Sequence, residues 1–333
     1  MSVLLYLAGL LYLIVVADMM YRRFAAIRIQ KIFENVTPFG VVPGTFSSHA
    51  QPVSIQTIDG LTLSGSLHSP TSGKDPRGLV IFCPELNGNH WMATHYCHSL
   101  LAHDFAVLSF DFRNQGQSEC QDGYTPIHWV TEYEMNDVAG VLEFIEADAV
   151  LSTLPLAAFG VSRGGVAALA AACRYPRIRA VMADSSFGTM EMTRHFVQRF
   201  GRLIVPDWFV KMIPEWHINI TLHQAMRSSE VSRGCRYVHL EQESVHLDDT
   251  SVKLISGKRD SYVSPKVATA LAEMFGGEEI LWIVAGAKHN MSRSVAQADY
   301  DNYVAKHFEP IALDAPATST IPAAHEPATT GLS

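Results

Sequence analysis

Leu156-Ala157-Ala158-Phe159-Gly160-Val161-Ser162-Arg163-Gly164-Gly165-Val166-Ala167-Ala168-Leu169 runs from a short apolar stretch, through a serine set between glycines, into an alanine-rich stretch. The apolar part has the length of a buried strand, and the residues from Val166 to Cys173 read as a helix of small and apolar side chains. The chain must therefore reverse abruptly at Gly160-Val161-Ser162-Arg163-Gly164, where side chains at the flanking positions would strike the strand and the helix. Such a turn holds a serine hydroxyl at the carboxyl end of a sheet. It also aims the first N–H groups of the helix, that of Arg163 among them, at charge developing beside the serine. An ordinary strand-to-helix turn can carry the same glycines, so the rest of the sequence has to decide.

A serine hydroxyl needs a base, and an imidazole base needs a carboxylate to fix its tautomer and balance its charge. Ser251 to Ser256 forms a strand pattern, followed by Gly257-Lys258-Arg259-Asp260, which places Asp260 in a turn just past the strand. Glu279 to Val284 forms another, followed by Ala285-Gly286-Ala287-Lys288-His289, which carries His289 into the next loop. A rival acid is Asp184, which also follows an apolar run.

From about Gln51 to Phe308 the chain resembles the α/β-hydrolase superfamily. The resemblance rests on G-V-S-R-G for the nucleophile elbow, G-K-R-D-S-Y-V for the acid turn, G-A-K-H for the base, and F-D-F-R-N-Q-G-Q-S at 110–118, similar to the family's D-x-R-G-x-G-x-S loop. Their order, with Ser162, Asp260 and His289 in sequence, is the family's order, and the family pattern favours Asp260 over Asp184. The resemblance implies a catalytic triad of Ser162, Asp260 and His289. The backbone N–H groups of Arg163 and Leu86 would then form the oxyanion hole. Where many relatives carry His-Gly, this chain reads Pro84-Glu85-Leu86-Asn87-Gly88. Pro84 has no N–H, and a carboxylate facing an oxyanion would oppose it, so the Glu85 side chain is expected to turn to solvent or to a basic partner.

With 333 residues and 48% hydrophobic composition, the chain can bury one large core. Its net charge of −8 offers no basic field for nucleic acid. Neither a dinucleotide fingerprint nor a phosphate-binding loop is present, so no cofactor is expected. His90, His95, His98 and His103 crowd one segment without the carboxylate or cysteine spacing of a zinc site, so no metal is expected. The five cysteines lie far apart, which suggests buried free thiols rather than disulfides.

Residues 2–21 are almost wholly apolar, with Asp18 the one charge, and as a helix would reach about 30 Å, enough to cross a hydrocarbon core. A cleaved signal peptide ending near Val15-Val16-Ala17 and a buried or surface-lying helix compete with this reading. Arg22, Arg23, Arg28 and Lys31 follow the segment and no basic residue precedes it, which favours a retained anchor with the enzyme on the cytoplasmic side.

The expected organisation is an anchor helix at 1–21, a tether at 22–50 broken by Pro38-Phe39-Gly40 and Pro43-Gly44, a catalytic domain at 51–310 and a disordered tail at 311–333. The domain should open with a hairpin turning at Asp59-Gly60 and continue as a mainly parallel sheet flanked by helices. A cap is expected at about 187–250. Its first half is rich in Met190, Met192, Phe196, Phe200, Leu203, Ile204, Val205, Trp208, Phe209, Met212, Ile213, Trp216 and Ile218, fit either to line an acyl pocket or touch a bilayer, or simply to pack as cap core. The implied activity is hydrolysis of carboxylic esters or thioesters, with a small-molecule or lipid acyl substrate. A peptidase, amidase or acyltransferase would use the same residues, and a non-catalytic binding protein is the alternative from another class.

Overall fold

The computed structural model describes residues 2–35, 40–201, 212–244, 247 and 250–313. Helix α1 (Ser2–Glu34) leads into the hairpin of β1 (Gln51–Gln56) and β2 (Thr62–His68), which turns at Gly60 with φ of 91°. Six further strands follow: β3 (Gly78–Cys83), β4 (Phe105–Phe110), β5 (Leu156–Val161), β6 (Ile178–Asp184), β7 (Ser251–Gly257) and β8 (Leu281–Val284). They form one sheet in the order β1-β2-β4-β3-β5-β6-β7-β8. β2 runs antiparallel to both its neighbours, β1 and β4, and the six strands β4-β3-β5-β6-β7-β8 run parallel. Every residue of β3, β4 and β5 is buried, which is why these strands read as continuous apolar runs rather than alternating ones.

The principal helices after α1 are α2 (Glu132–Ala147), α3 (Arg163–Arg174), α4 (Thr189–Gly201), α5 (Glu215–Arg233), α6 (Pro265–Phe275) and α7 (Gln297–Leu313). Thr131 and Glu134 start α2 with a capping box, in which each side chain satisfies a backbone N–H near the other. Val138, Val141 and Ile145 of α2, the small residues of α3 and Val267 and Leu271 of α6 cover one face of the sheet. Residues 92–101 and Tyr300, Val304 and Phe308 of α7 cover the other. The result is the mainly parallel, helix-flanked sheet of the α/β-hydrolase fold.

Three readings change. Helix α1 does not break at residue 21: it continues through Glu34, so the first part of the expected tether is helical, with Ala26 and Phe33 buried. The Phe33 ring packs edge-on against Trp129 and Tyr237, at 5.8 and 6.1 Å between centroids, and its carbonyl accepts a hydrogen bond from Trp129 Nε1. At the other end, α7 carries the fold to Leu313, two residues beyond the expected start of the tail; residues 314–333 lie outside the described residues. Cys83, Cys97, Cys173 and Cys235 are buried, but Cys120 is exposed, on the surface loop after β4.

Helices α4 and α5 occupy the expected cap between β6 and β7. Met192 and Phe196 are buried, whereas Met212 and Trp216 are exposed. Leu203, Ile204, Val205, Trp208 and Phe209 lie outside the described residues, as do Pro38 and Phe39.

Candidate active site

Strand β5 ends at Val161, and Ser162 stands as the residue before α3 with φ of 51° and ψ of −120°. A non-glycine residue in this region costs about 1–3 kcal/mol and persists only where its surroundings hold it. Here Ser162 N–H donates to the Asp184 carbonyl at 2.7 Å, and Ser186 Oγ donates to the Ser162 carbonyl at 3.0 Å. The glycines make the turn possible. A Cβ on Gly160 would strike the Gly164 carbonyl, and one on Gly164 would strike the carbonyls of Cys83 and Pro84. The same close approach brings the loop after β3, with Leu86, against the elbow.

Two further loops meet the serine at the carboxyl end of the sheet. Backbone hydrogen bonds join them, from Lys258 N–H to the Val284 carbonyl at 2.9 Å and from Arg259 N–H to the Ala287 carbonyl at 2.8 Å. These set Asp260 beside His289. The imidazole Nδ1 lies 2.6 Å from Asp260 Oδ2, and Nε2 lies 3.0 Å from Ser162 Oγ. The other carboxylate oxygen, Oδ1, accepts N–H bonds from Tyr262 at 2.8 Å and Val263 at 2.9 Å, which fixes the carboxylate plane. With Nδ1–H donated to the carboxylate, Nε2 is left to accept the serine proton. All three residues are less than a tenth exposed.

The rival acid has other partners. Asp184 accepts hydrogen bonds from Tyr300 at 2.9 Å, Ser185 Oγ at 3.0 Å and Ser292 Oγ at 3.2 Å, and burial raises its pKa to about 6.

Arg163 contributes to the elbow through its backbone. As the first residue of α3, its N–H is one of those a helix leaves unbonded internally. Its guanidinium is buried and paired with Glu134 at 2.6 Å, with Nε donating to the Trp129 carbonyl at 3.4 Å. Burial alone would raise the Glu134 pKa, but the charge of Arg163 and hydrogen bonds from Thr131 and Tyr124 outweigh it and hold the carboxyl ionised.

The turn that carries Leu86, the second expected oxyanion donor, is braced by the 110–118 loop. Gln115 Oε1 accepts the Asn87 N–H at 2.7 Å, and Asn87 has φ of 63°, so the turn that carries Leu86 is tied to this loop. Asp111 accepts from His90 N–H at 2.6 Å and Gln117 N–H at 2.8 Å. Arg113 is fully buried between Asp137 and Asp59. These residues shape the loops and do not reach the serine.

Glu85 departs from expectation. It turns neither to solvent nor to a cation: it is 2% exposed, its Oε1 accepts the Val42 N–H at 3.3 Å, and its Oε2 receives Asn290 Nδ2. Burial pushes its pKa up to about 8, only partly offset by these two donors, and the charge of Asp184 adds to the rise. A carboxyl raised that far keeps its proton at neutral pH and need not oppose negative charge nearby. Sequence reading also missed His128, buried near the base, which burial and then the charges of Arg163 and His289 push down to about 4. Neither residue carries a local signal, because their partners are remote in sequence.

A family model described as "Serine aminopeptidase, S33" matches residues 74–248. In fold, the chain is similar to an esterase of Pyrococcus furiosus, with 19% identity and a TM-score of 0.58 over 82% of this chain and 99% of that one. It is also similar to an α/β serine hydrolase without a lid from Xanthomonas campestris, with 16% identity and a TM-score of 0.51 over 84% of this chain and 100% of that one. No protein of curated function matches the sequence.

Proposed function

The chain belongs to the α/β hydrolases described as serine aminopeptidase, S33, and from that premise we propose that it is a membrane-anchored serine hydrolase of carboxylic esters or thioesters with lipid-like acyl groups. The observation that carries this reading is the unbroken hydrogen-bond chain from Ser162 through His289 to Asp260, mounted on a positive-φ elbow. Ser162 Oγ attacks the acyl carbon while His289 Nε2 takes its proton, and Asp260 balances the imidazolium. The backbone N–H groups of Arg163 and Leu86 receive the oxyanion. As the tetrahedral intermediate collapses, His289 gives the proton to the leaving alcohol or thiol. Water, deprotonated by the same imidazole, then releases the acid from the acyl-enzyme.

The lipid-like substrate is inferred from α1, whose most apolar 18-residue stretch has a mean hydropathy of 2.3 and holds no buried residue, together with the apolar cap. The catalytic unit, residues 51–310, would stand on the cytoplasmic side, where Arg22, Arg23, Arg28 and Lys31 lie.

The family description raises amide cleavage as a second reading. An aminopeptidase needs a carboxylate to hold the substrate's free amine. Among the described residues, three buried carboxyls near this elbow are committed elsewhere, Glu134 to Arg163, Asp184 to Tyr300 and Glu85 to Asn290. This favours esters.

A fluorophosphonate probe tests the reaction class: it should label the folded wild type at Ser162 and leave Ser162→Ala unlabelled, and an unlabelled wild type would reject the hydrolase reading. Acyl esters of rising chain length, set beside aminoacyl amides, test the substrate. Preference for the shortest chains or for the amides would reject the lipid-ester assignment.

A further inference from the structure

Helix α1 and the cap helix α5 run side by side in the same direction. Asp18 Oδ1 meets His217 Nε2 at 2.7 Å near the start of α5, whereas Gln30 Nε2 donates to Ser232 Oγ at 3.0 Å and Glu34 bonds Ser229 near its end. Asp18 is the first charge after the apolar run and is also paired with Arg22 at 2.6 Å. In a bilayer it marks the level at which hydrocarbon gives way to headgroups. The amino end of α5 is therefore fixed at that level. Trp216, beside His217, is 59% exposed, Ile220 one turn later is 39% exposed, and Met212 just before the helix is 73% exposed. The Tyr21 ring lies 6.3 Å from the His217 ring at the same height. An exposed Trp, a Tyr and the cluster of Arg22 and Arg23 together have the composition of the boundary between hydrocarbon and headgroups on the cytoplasmic side.

We propose that the tip of the cap, Met212 to Ile220, is seated in the headgroup layer of the bilayer that holds α1, so that the cap is a second membrane contact. This rests on reading α1 as a bilayer anchor. The occupant is lipid because the patch is joined, through the Asp18–His217 contact, to a helix whose own exposed face is apolar over Val3 to Val15. The seating would hold the cap at the surface from which a lipid acyl chain must leave, which specifies where the proposed substrate is taken up.

The test uses the full chain in phosphatidylcholine vesicles carrying dibrominated acyl chains. The Trp216 emission is isolated as the difference between wild type and Trp216→Phe. It is expected to be quenched strongly by bromines near the headgroup, less by bromines near the chain end, and little by aqueous iodide. If the protein floats with the vesicles but this emission is quenched by iodide and not by bromolipid, the seating of the cap is overturned while the anchor stands. If the protein is released from the vesicles by high salt without detergent, the anchor reading itself fails, and the seating with it.

Discussion

Replacing Glu85 with glutamine should flatten the pH dependence of stability over a defined window. In the folded chain burial raises this carboxyl from its ordinary 4.5 to about 8, so the native state holds the proton more tightly than the unfolded chain does. The contribution is fully present below pH 4.5, falls as the pH rises and is lost above about 8, where both states are ionised. At about 1.4 kcal/mol per pH, the cost accumulated across that window is of order 5 kcal/mol. Glutamine does not ionise, so the variant lacks the slope. It can also keep the contacts: Asn290 Oδ1 is buried without a hydrogen-bond partner among the described residues, and rotating the Asn290 amide turns it towards a donor at position 85. The same rotation suits the protonated acid of the wild type. Urea unfolding of both proteins in detergent micelles, from pH 5 to 9, gives the difference in stability directly. The variant should gain on the wild type by several kcal/mol towards the alkaline end. In parallel, wild-type kcat/KM should fall above pH 8 as a charge forms one residue from Leu86, and the variant should not show that loss. A stability difference that stays constant from pH 5 to 9 would refute the assignment of a neutral Glu85.

Asp260→Asn should lower kcat by about 10⁴-fold without unfolding the protein, because the imidazole loses the partner that fixes its tautomer; full activity in that variant would pass the role to Asp184. Phe33→Ala, which empties a fully buried site against Trp129 and Tyr237, should cost about 3–5 kcal/mol in urea unfolding, and a loss below about 1 kcal/mol would show that α1 is not part of the core. Arg163→Met leaves Glu134 buried without its cation and should destabilise by about 3–5 kcal/mol, with Arg163→Met/Glu134→Gln recovering part of the loss.

The elbow, the acid turn and the base loop were legible because each is a local pattern, a strand followed within a few residues by a special turn. β5 and β7 fall within two residues of their expected positions for the same reason. β8 starts later than expected because residues 278–280 form a helical turn ahead of it. The choice between Asp260 and Asp184 was not legible locally, since both follow strands. Their hydrogen-bond partners, His289 for one and Tyr300 for the other, separate them in space. Glu85 was misread because a carboxyl in a loop ordinarily seeks water, and the groups that receive it belong to Val42 and Asn290. The start of the tether was misread because a change from apolar to basic residues at Arg22 looks like a boundary. Alternation of polarity does not stop a helix, and residues 22–34 contain neither glycine nor proline.

That continuity has a mechanical consequence. A flexible tether would let the catalytic unit reach any point within its length, at any orientation. Here the Phe33 carbonyl takes the Trp129 indole N–H, the Trp129 carbonyl takes Arg163 Nε, and Arg163 is the residue after Ser162. The helix that would enter the bilayer and the helix that begins just after Ser162 are thus joined through one buried residue, Trp129. With α1 spanning a membrane, the direction in which Ser162 faces is set by packing rather than by diffusion on a leash. A glycine-serine linker inserted after Tyr21, combined with Trp216→Ser and His217→Ala to release the cap from Asp18 and the headgroup layer, would leave the Phe33–Trp129–Arg163 packing intact but free the catalytic unit from the bilayer normal. It should spare turnover of a monomeric short-chain ester and lower turnover of the same ester carried on a vesicle-embedded lipid. Equal turnover of the embedded ester with and without the linker would mean that orientation does not matter to catalysis.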